Sequence, residues 1–295
     1  MTPSVSPEPS SILSTSRYLL LWLGAGIPLI AAETQEPIPA APPQENTFVQ
    51  GRRPDSFFSW DYVRLAADDT VDIVTSPARW ERDDWLIAGG LGALVVSSTA
   101  LDGQIREESQ EHRSKNLNSL TKTAQGFGAE YSVLLIGGFE AYGYLAHDDK
   151  AKAVAMDSVT SSIIASGIIA PLLKYTVGRV RPTTSNRVFD FKPFSGNDSF
   201  PSGHTTQAFA VAAVISAHYD EWWVKGLSFG VAGLVGYSRI QQNAHFTSDV
   251  VAGAIIGTTV GHAIVKRHNQ PKPADLKISP YFNGRIRGLA FSKEF

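Results

Sequence analysis

The sequence predicts an all-α fold. It reads as a helical bundle of about six core helices, with a Pro-rich N-terminal linker before it and a short tail like a β-hairpin after it. Apolar runs of helical length recur at residues 85–101, 131–146, 157–174, 204–219, 225–240 and 247–266. Gly, Ala, Ser and Thr are frequent within them, and small side chains let helices approach closely. The tail breaks this pattern: Pro271 and Pro273 interrupt it, and residues 276–292 run apolar and polar around Asn283-Gly284. These signals divide the chain into an export signal at 1–32, a linker at 33–56, a helical domain at 57–268 and a tail at 269–295.

In order, Arg17 precedes an apolar run, residues 18–32, that ends in the small residues Ala31 and Ala32. This pattern fits a secretory signal cleaved after about Ala32. The run is short for a permanent anchor and is interrupted by Gly24, Gly26 and Pro28. Pro37, Pro39, Pro42, Pro43 and Pro54 make the next stretch an extended, mobile linker. Phe57, Phe58, Trp60, Tyr62, Val63 and Leu65 then mark an amphipathic turn or short helix. Asp83 and Asp84 offer an N-cap for the run at 85–101. Residues 102–122, rich in Arg, Glu and Lys, read as a solvated helix or connector, with His112 on its surface. At the tail, Asn283-Gly284 predicts a hairpin with a type I′ turn.

Composition excludes several classes. The formal net charge of −2 provides no basic field for nucleic acid, so no nucleic-acid partner is expected. With no cysteine, the chain can hold no disulfide framework, zinc–thiolate site or cysteine nucleophile.

Three polar clusters between residues 174 and 249 carry the chemistry. Lys174 and Arg181 lie seven apart, with Pro182 next, so the preceding helix is expected to end at or near Arg181 with both cations reaching one side. Arg binds phosphate oxygens as a planar fork and Lys as a point charge. Pro201, Ser202, Gly203 and His204 open a helix. The free amides and positive dipole end there favour an anion, and Gly203 allows close backbone approach. His204 lies beside that site, placed to protonate a leaving oxygen. Ser238 and Arg239 precede His245, and Asp249 follows it by four. On a helix, His245 and Asp249 share a face, so the carboxylate can fix the imidazole tautomer and leave the other nitrogen as a nucleophile.

Lys174-x6-Arg181-Pro182, Pro201-Ser202-Gly203-His204 and Ser238-Arg239-x5-His245-x3-Asp249 together resemble the signature of the type-2 phosphatidic acid phosphatase superfamily, without a substitution. The resemblance covers roughly residues 157–262. It implies a phosphoric ester hydrolase that cleaves a phosphomonoester or pyrophosphate, of a lipid or a small molecule, through a phosphohistidine. It makes His245 the nucleophile, Asp249 its orienting partner and His204 the general acid. Lys174, Arg181, Arg239, Ser202 and Gly203 would form the phosphate cradle, with Ser238 in a packing role. No metal or other cofactor is implied. Vanadium-dependent haloperoxidases, generally much longer chains, use a similar cradle, and an envelope protein that binds phosphate without turnover is the non-enzymatic alternative.

Integral-membrane members of that superfamily have six spanning helices. Here the uncharged stretches are short: residues 250–265 number 16 and residues 226–238 number 13, against the roughly 20 a span needs. Glu140 interrupts the run at 131–146, and mean hydropathy is −0.06. The expectation is therefore an exported, soluble or peripheral bundle in the periplasm or cell envelope, with at most peripheral membrane contact. Arg179, Arg187 and Lys192 read as surface charge near the cluster. Phe189, Phe191, Phe194 and Phe200 either greet a lipid tail or pack their own loop, and His147, His218, His262 and His268 read as structural.

Overall fold

The structure, a computed structural model, describes residues 50–271, 276–283 and 286–293. The export signal and the linker up to residue 49 lie outside the described residues, as does Gly284 of the predicted turn.

The helix Gly203–His218 (α8) is the axis of the bundle. It carries no Asp, Glu, Lys or Arg and is rich in Ala, Val and Thr, so it can be enclosed from all sides, and ten of its residues are buried. Thr247–His268 (α10) packs against it most closely, for a reason visible in its sequence. Gly253, Gly257 and Gly261 recur every four residues on the facing side. A Cβ on them would lie 2.7, 2.3 and 2.7 Å from the carbonyl oxygens of Ser202, Thr206 and Ala210. Only bare backbone fits that contact.

Asp149–Ser162 (α6) packs on α8 and α10, and a wide π-type turn, Ile163–Ile169, carries it into Ala170–Val177 (α7). Glu130–Ala146 (α5) lies against α6 and α8, and Trp222–Gln241 (α9) against α8. Arg82–Ser98 (α2) continues through one tight turn into Asp102–Glu111 (α3). Trp60–Thr75 (α1) and Lys115–Gln125 (α4) complete the helices, and Leu276–Asn283 (β1) pairs antiparallel with Ile286–Lys293 (β2). Every predicted apolar run is helical. The cap of α2 differs from expectation: Glu81 is the N-cap and its N–H donates to the Asp84 carboxylate at 3.0 Å.

The end of the stretch read as linker is tied down. The Arg52 N–H donates to the His268 carbonyl at 2.8 Å, and Arg53 is buried with its guanidinium on Asp157 of α6 at 2.9 and 2.5 Å. Asp157 also meets His218 of α8 at 2.7 Å and His268 of α10 at 2.6 Å. The other ring nitrogen of His268 lies 2.6 Å from Asp69 of α1, which pairs in turn with Arg267. This buried ionic knot joins α1, α6, α8 and α10 at the end of α8 remote from His204. It accounts for two of the histidines read as structural.

The expectation of a soluble or peripheral protein is overturned. Arg82–Glu111, Asp149–Val177 and Thr247–His268 are long and apolar enough to cross a membrane, and the most apolar window of the first is only 6% buried. Trp85, Leu86, Ile87, Leu94 and Val96 of α2 are exposed. So are Val133, Leu134, Tyr144 and Leu145 of α5, and Trp222, Trp223 and Leu227 of α9. An apolar surface of this extent suits lipid and not water, and it points to an integral membrane protein. Counting uncharged stretches failed because Asp157 and Asp249 point inward and are ion-paired there, and do not break the lipid-facing surface. Mean hydropathy failed because polar segments such as 33–56 and 102–122 dilute it. The chain is expected to stay with membranes through high-salt and carbonate washes and to be released by detergent. Release by washing alone would contradict this reading.

Candidate active site

The three polar clusters converge at the end of the bundle where α8 begins. The first arrives by a route the sequence did not suggest. Helix α7 ends at Val177, four residues before Arg181, because Gly178 adopts a left-handed conformation (φ +60°) and its N–H caps the Lys174 carbonyl at 2.9 Å. A Cβ on Gly178 would lie 1.9 Å from the Lys192 carbonyl oxygen, so the turn requires glycine. Lys174 therefore sits in the last helical turn. Arg181 lies on an extended segment, held where the Val180 N–H donates to the Asp190 carbonyl at 2.9 Å. Both cations still meet one point, Asp198. Arg181 grips its carboxylate through Nε at 2.7 Å and a terminal nitrogen at 2.6 Å, and Lys174 donates to its backbone carbonyl.

Ser202 is the N-cap of α8 and is fully buried, its N–H donating to the Asp249 carbonyl at 3.0 Å. The first amides of α8 have no partner within the helix. Lys174 Cε passes 3.8 Å from where a Gly203 Cβ would stand, so the first cluster lies over this helix start. His204 follows, backed by Gly128, whose Cβ would lie 2.5 Å from the His204 carbonyl oxygen. Burial, then the charges of Arg239 and His245, push the His204 pKa down to about 4.

Arg239 lies in the last turn of α9 and is buried. One terminal nitrogen donates to Gln125 Oε1 at 2.5 Å and Gln242 Oε1 at 3.0 Å, while its buried Nε has no hydrogen-bond partner. Ser238, also buried, donates to the Val235 carbonyl at 2.6 Å, a packing role.

His245 and Asp249 depart from the expected pairing. His245 precedes α10, so the two do not share a helix face, and Nδ1 lies 3.7 Å from the Asp249 carboxylate. Nδ1 lies 2.7 Å from the Ser199 carbonyl, which can only accept. That contact fixes the Nδ1–H tautomer and leaves the Nε2 lone pair free. Burial pushes the His245 pKa down. The Asp249 charge pulls the other way, and Lys174 and Arg181 add to the downward push.

Asp249 is occupied otherwise. It accepts from Ser199 Oγ at 2.6 Å, from the Phe246 N–H at 2.9 Å as an N-terminal cap of α10, and from Arg179 at 2.6 Å. Arg179, read as surface charge, is buried. Its fork joins Asp249 to Asp102 of α3, at 2.7 Å, and its aromatic neighbours are Phe191 and Phe246. Asp102 also takes the Ser248 N–H at 2.8 Å and its hydroxyl at 2.6 Å.

The segment read as a solvated connector thus braces the site. Arg106 of α3 reaches Asn243, the Pro182 carbonyl and Asn186, at 2.8, 2.9 and 3.0 Å. Sequence reasoning missed Asp102, Arg106, Asp198 and Ser199. The one signal for Asp102 was its place directly after an apolar run. Ser199 acts chiefly through its carbonyl, which no side-chain pattern reveals.

Around the site, Phe189, Phe194 and Tyr175 are exposed, the last two packed edge to face at 5.3 Å. Arg187 and Lys192 are exposed as expected. One turn past His204 a cavity of about 530 Å³ begins. Ala208, Val211 and Ile215 of α8 form its floor, Leu135 and Phe139 of α5 one wall, and Leu227 and Val231 of α9 the other.

Comparison with known proteins adds four findings. Residues 158–272 match the family model of the PAP2 superfamily. A lipid A 1-phosphatase from Rhizobium etli is 28% identical over 197 residues, 61% of this chain and 82% of that protein. An undecaprenyl-diphosphatase from Sulfolobus acidocaldarius is 27% identical over 119 residues, 40% of this chain and 56% of that protein. Among solved structures, Aquifex aeolicus LpxE aligns with a TM-score of 0.45 at 25% identity, covering 56% of this chain and 95% of that one.

Proposed function

Because the chain carries a PAP2 superfamily domain at residues 158–272, we propose that it is a phosphoric ester hydrolase that removes phosphate from a membrane lipid through a phosphohistidine on His245. The observation that carries this is the buried His245. Its Nδ1–H is held by the Ser199 carbonyl and its other nitrogen is free, with Lys174 and Arg181 close enough to act on its charge.

In this reading the phosphate sits against the first amides of α8 at Ser202 and Gly203, and the three cations hold its oxygens. The unpartnered Nε of Arg239 is a donor ready for one of them. His245 Nε2 attacks phosphorus, the bond to the leaving oxygen breaks, and His204 gives that oxygen its proton. Water then attacks phosphorus while His204 takes a proton from it, the phosphorus–nitrogen bond breaks, and phosphate leaves with His245 restored. In the empty site burial and cationic neighbours keep His204 neutral near pH 7. A bound phosphate dianion reverses that local charge and draws the proton onto His204. Asp249 acts at one remove, by holding Ser199 and the start of α10. Charge compensation comes from side chains, so the reaction needs no metal.

A lipid is favoured over a soluble ester by the apolar cavity one turn from His204, and by relatives named for phosphorylated lipids. The test is phosphate release by the detergent-purified chain from lipid and soluble phosphates side by side, with and without EDTA. The expected result is turnover of lipid phosphates at lower KM, unchanged by EDTA and inhibited by orthovanadate. Loss of activity in EDTA that Mg²⁺ or Zn²⁺ restores, or equal KM for soluble esters, would overturn the corresponding part.

A further inference from the structure

Asp198 belongs to none of the three polar clusters, yet it meets two of the three cations of the proposed phosphate cradle. Arg181 grips its two oxygens side-on, at 2.7 and 2.6 Å, the two-point geometry by which a guanidinium takes two oxygens of a phosphate. Its backbone is tethered independently of that grip. Lys174 donates to the Asp198 carbonyl, and the neighbouring Ser199 is held by His245 through its carbonyl and by Asp249 through its hydroxyl. The carboxylate can therefore swing away while the loop stays in place. The pair is partly open to solvent, with the Arg181 and Asp198 side chains 35% and 51% exposed. Solvent screens a pair exposed to this degree, so a competing dianion can open it.

We infer that Asp198 is a built-in competitor for the phosphate cradle: its carboxylate fills the Arg181 fork in the empty site, yields it to the substrate's phosphoryl group, and retakes it to help expel inorganic phosphate. This rests on the phosphatase reading above and adds a specificity-determining residue to it. The consequence is that the site binds free phosphate and its analogues less tightly than its cations alone allow. A lipid, anchored elsewhere by its chains, displaces Asp198 more readily than a free anion.

The experiment measures orthovanadate and inorganic phosphate binding by calorimetry on the detergent-purified full chain, as wild type, Asp198→Asn and Asp198→Ala, with thermal unfolding checked for each. Both variants are expected to bind orthovanadate about two- to fivefold tighter, the scale of releasing one exposed ion pair. Adding Arg181→Gln to either should remove the gain, which a merely structural role of Asp198 would not produce. Absence of phosphate release by the wild type sinks the phosphatase reading itself. Release by the wild type, with orthovanadate binding unchanged or weaker in both Asp198 variants, overturns the competitor alone.

Discussion

His245→Ala is expected to abolish phosphate release, with a loss of roughly 10⁴-fold or more, the scale seen when a covalent nucleophile is removed. The substitution deletes the reacting nitrogen but leaves the cradle, because Lys174 and Arg181 meet Asp198, Arg239 meets Gln125 and Gln242, and none of the three is hydrogen-bonded to the imidazole. Orthovanadate binding should therefore survive in part. Asp249→Asn separates this account from the simpler picture of a His–Asp pair. The carboxylate lies 3.7 Å from the ring and is spent on Arg179, Ser199 and Phe246. Its loss should disturb the start of α10 and lower thermal stability along with rate. A variant with full stability and a large rate loss would restore the direct-pair reading. Phosphate-release rates beside thermal midpoints decide it.

Arg179→Met is expected to be the most damaging substitution to stability, by about 3–5 kcal/mol, the cost of breaking a buried ion pair from one side. Arg179 is the sole bridge between Asp102 and Asp249 among the described contacts, and removing it leaves two buried carboxylates without their cation. The replacement keeps much of the volume against Phe191 and Phe246, so the effect reads charge and not packing. Arg179→Lys should recover only part, since an ammonium cannot reach both carboxylates as a fork does. The check is thermal unfolding in detergent. A midpoint within a degree or two of wild type would show that the bridge contributes little. Asp102 comes from α3, outside the 158–272 family match, so the same experiment tests whether that region is integral to the site.

Much of the fold was legible because α8, α9 and α10 announce themselves by apolar runs and small residues. The convergence of Lys174, His204 and His245 was legible from three spaced motifs. The rest was hidden for physical reasons. The end of α7 at Gly178 is set by one left-handed glycine, whereas Pro182 gave the louder signal. His245 takes its orientation from the Ser199 carbonyl, and a backbone group leaves no trace in side-chain spacing. Arg179 looks like any surface arginine until α3 is folded over it. The membrane was missed because charge was counted along the chain, while the structure turns Asp157 and Asp249 inward.

The central claim is that His245 carries the phosphoryl group, and trapping it is the direct measurement. The purified chain would be mixed with a turned-over phosphorylated lipid, quenched in base within the first turnover and digested for mass spectrometry. The account predicts a base-stable, acid-labile phosphate on the peptide bearing His245, present in wild type, absent in His245→Ala and longer-lived in His204→Ala, where water is activated poorly. Rapid turnover with no phosphate on His245 at any quench time, or its appearance on another residue, would contradict it.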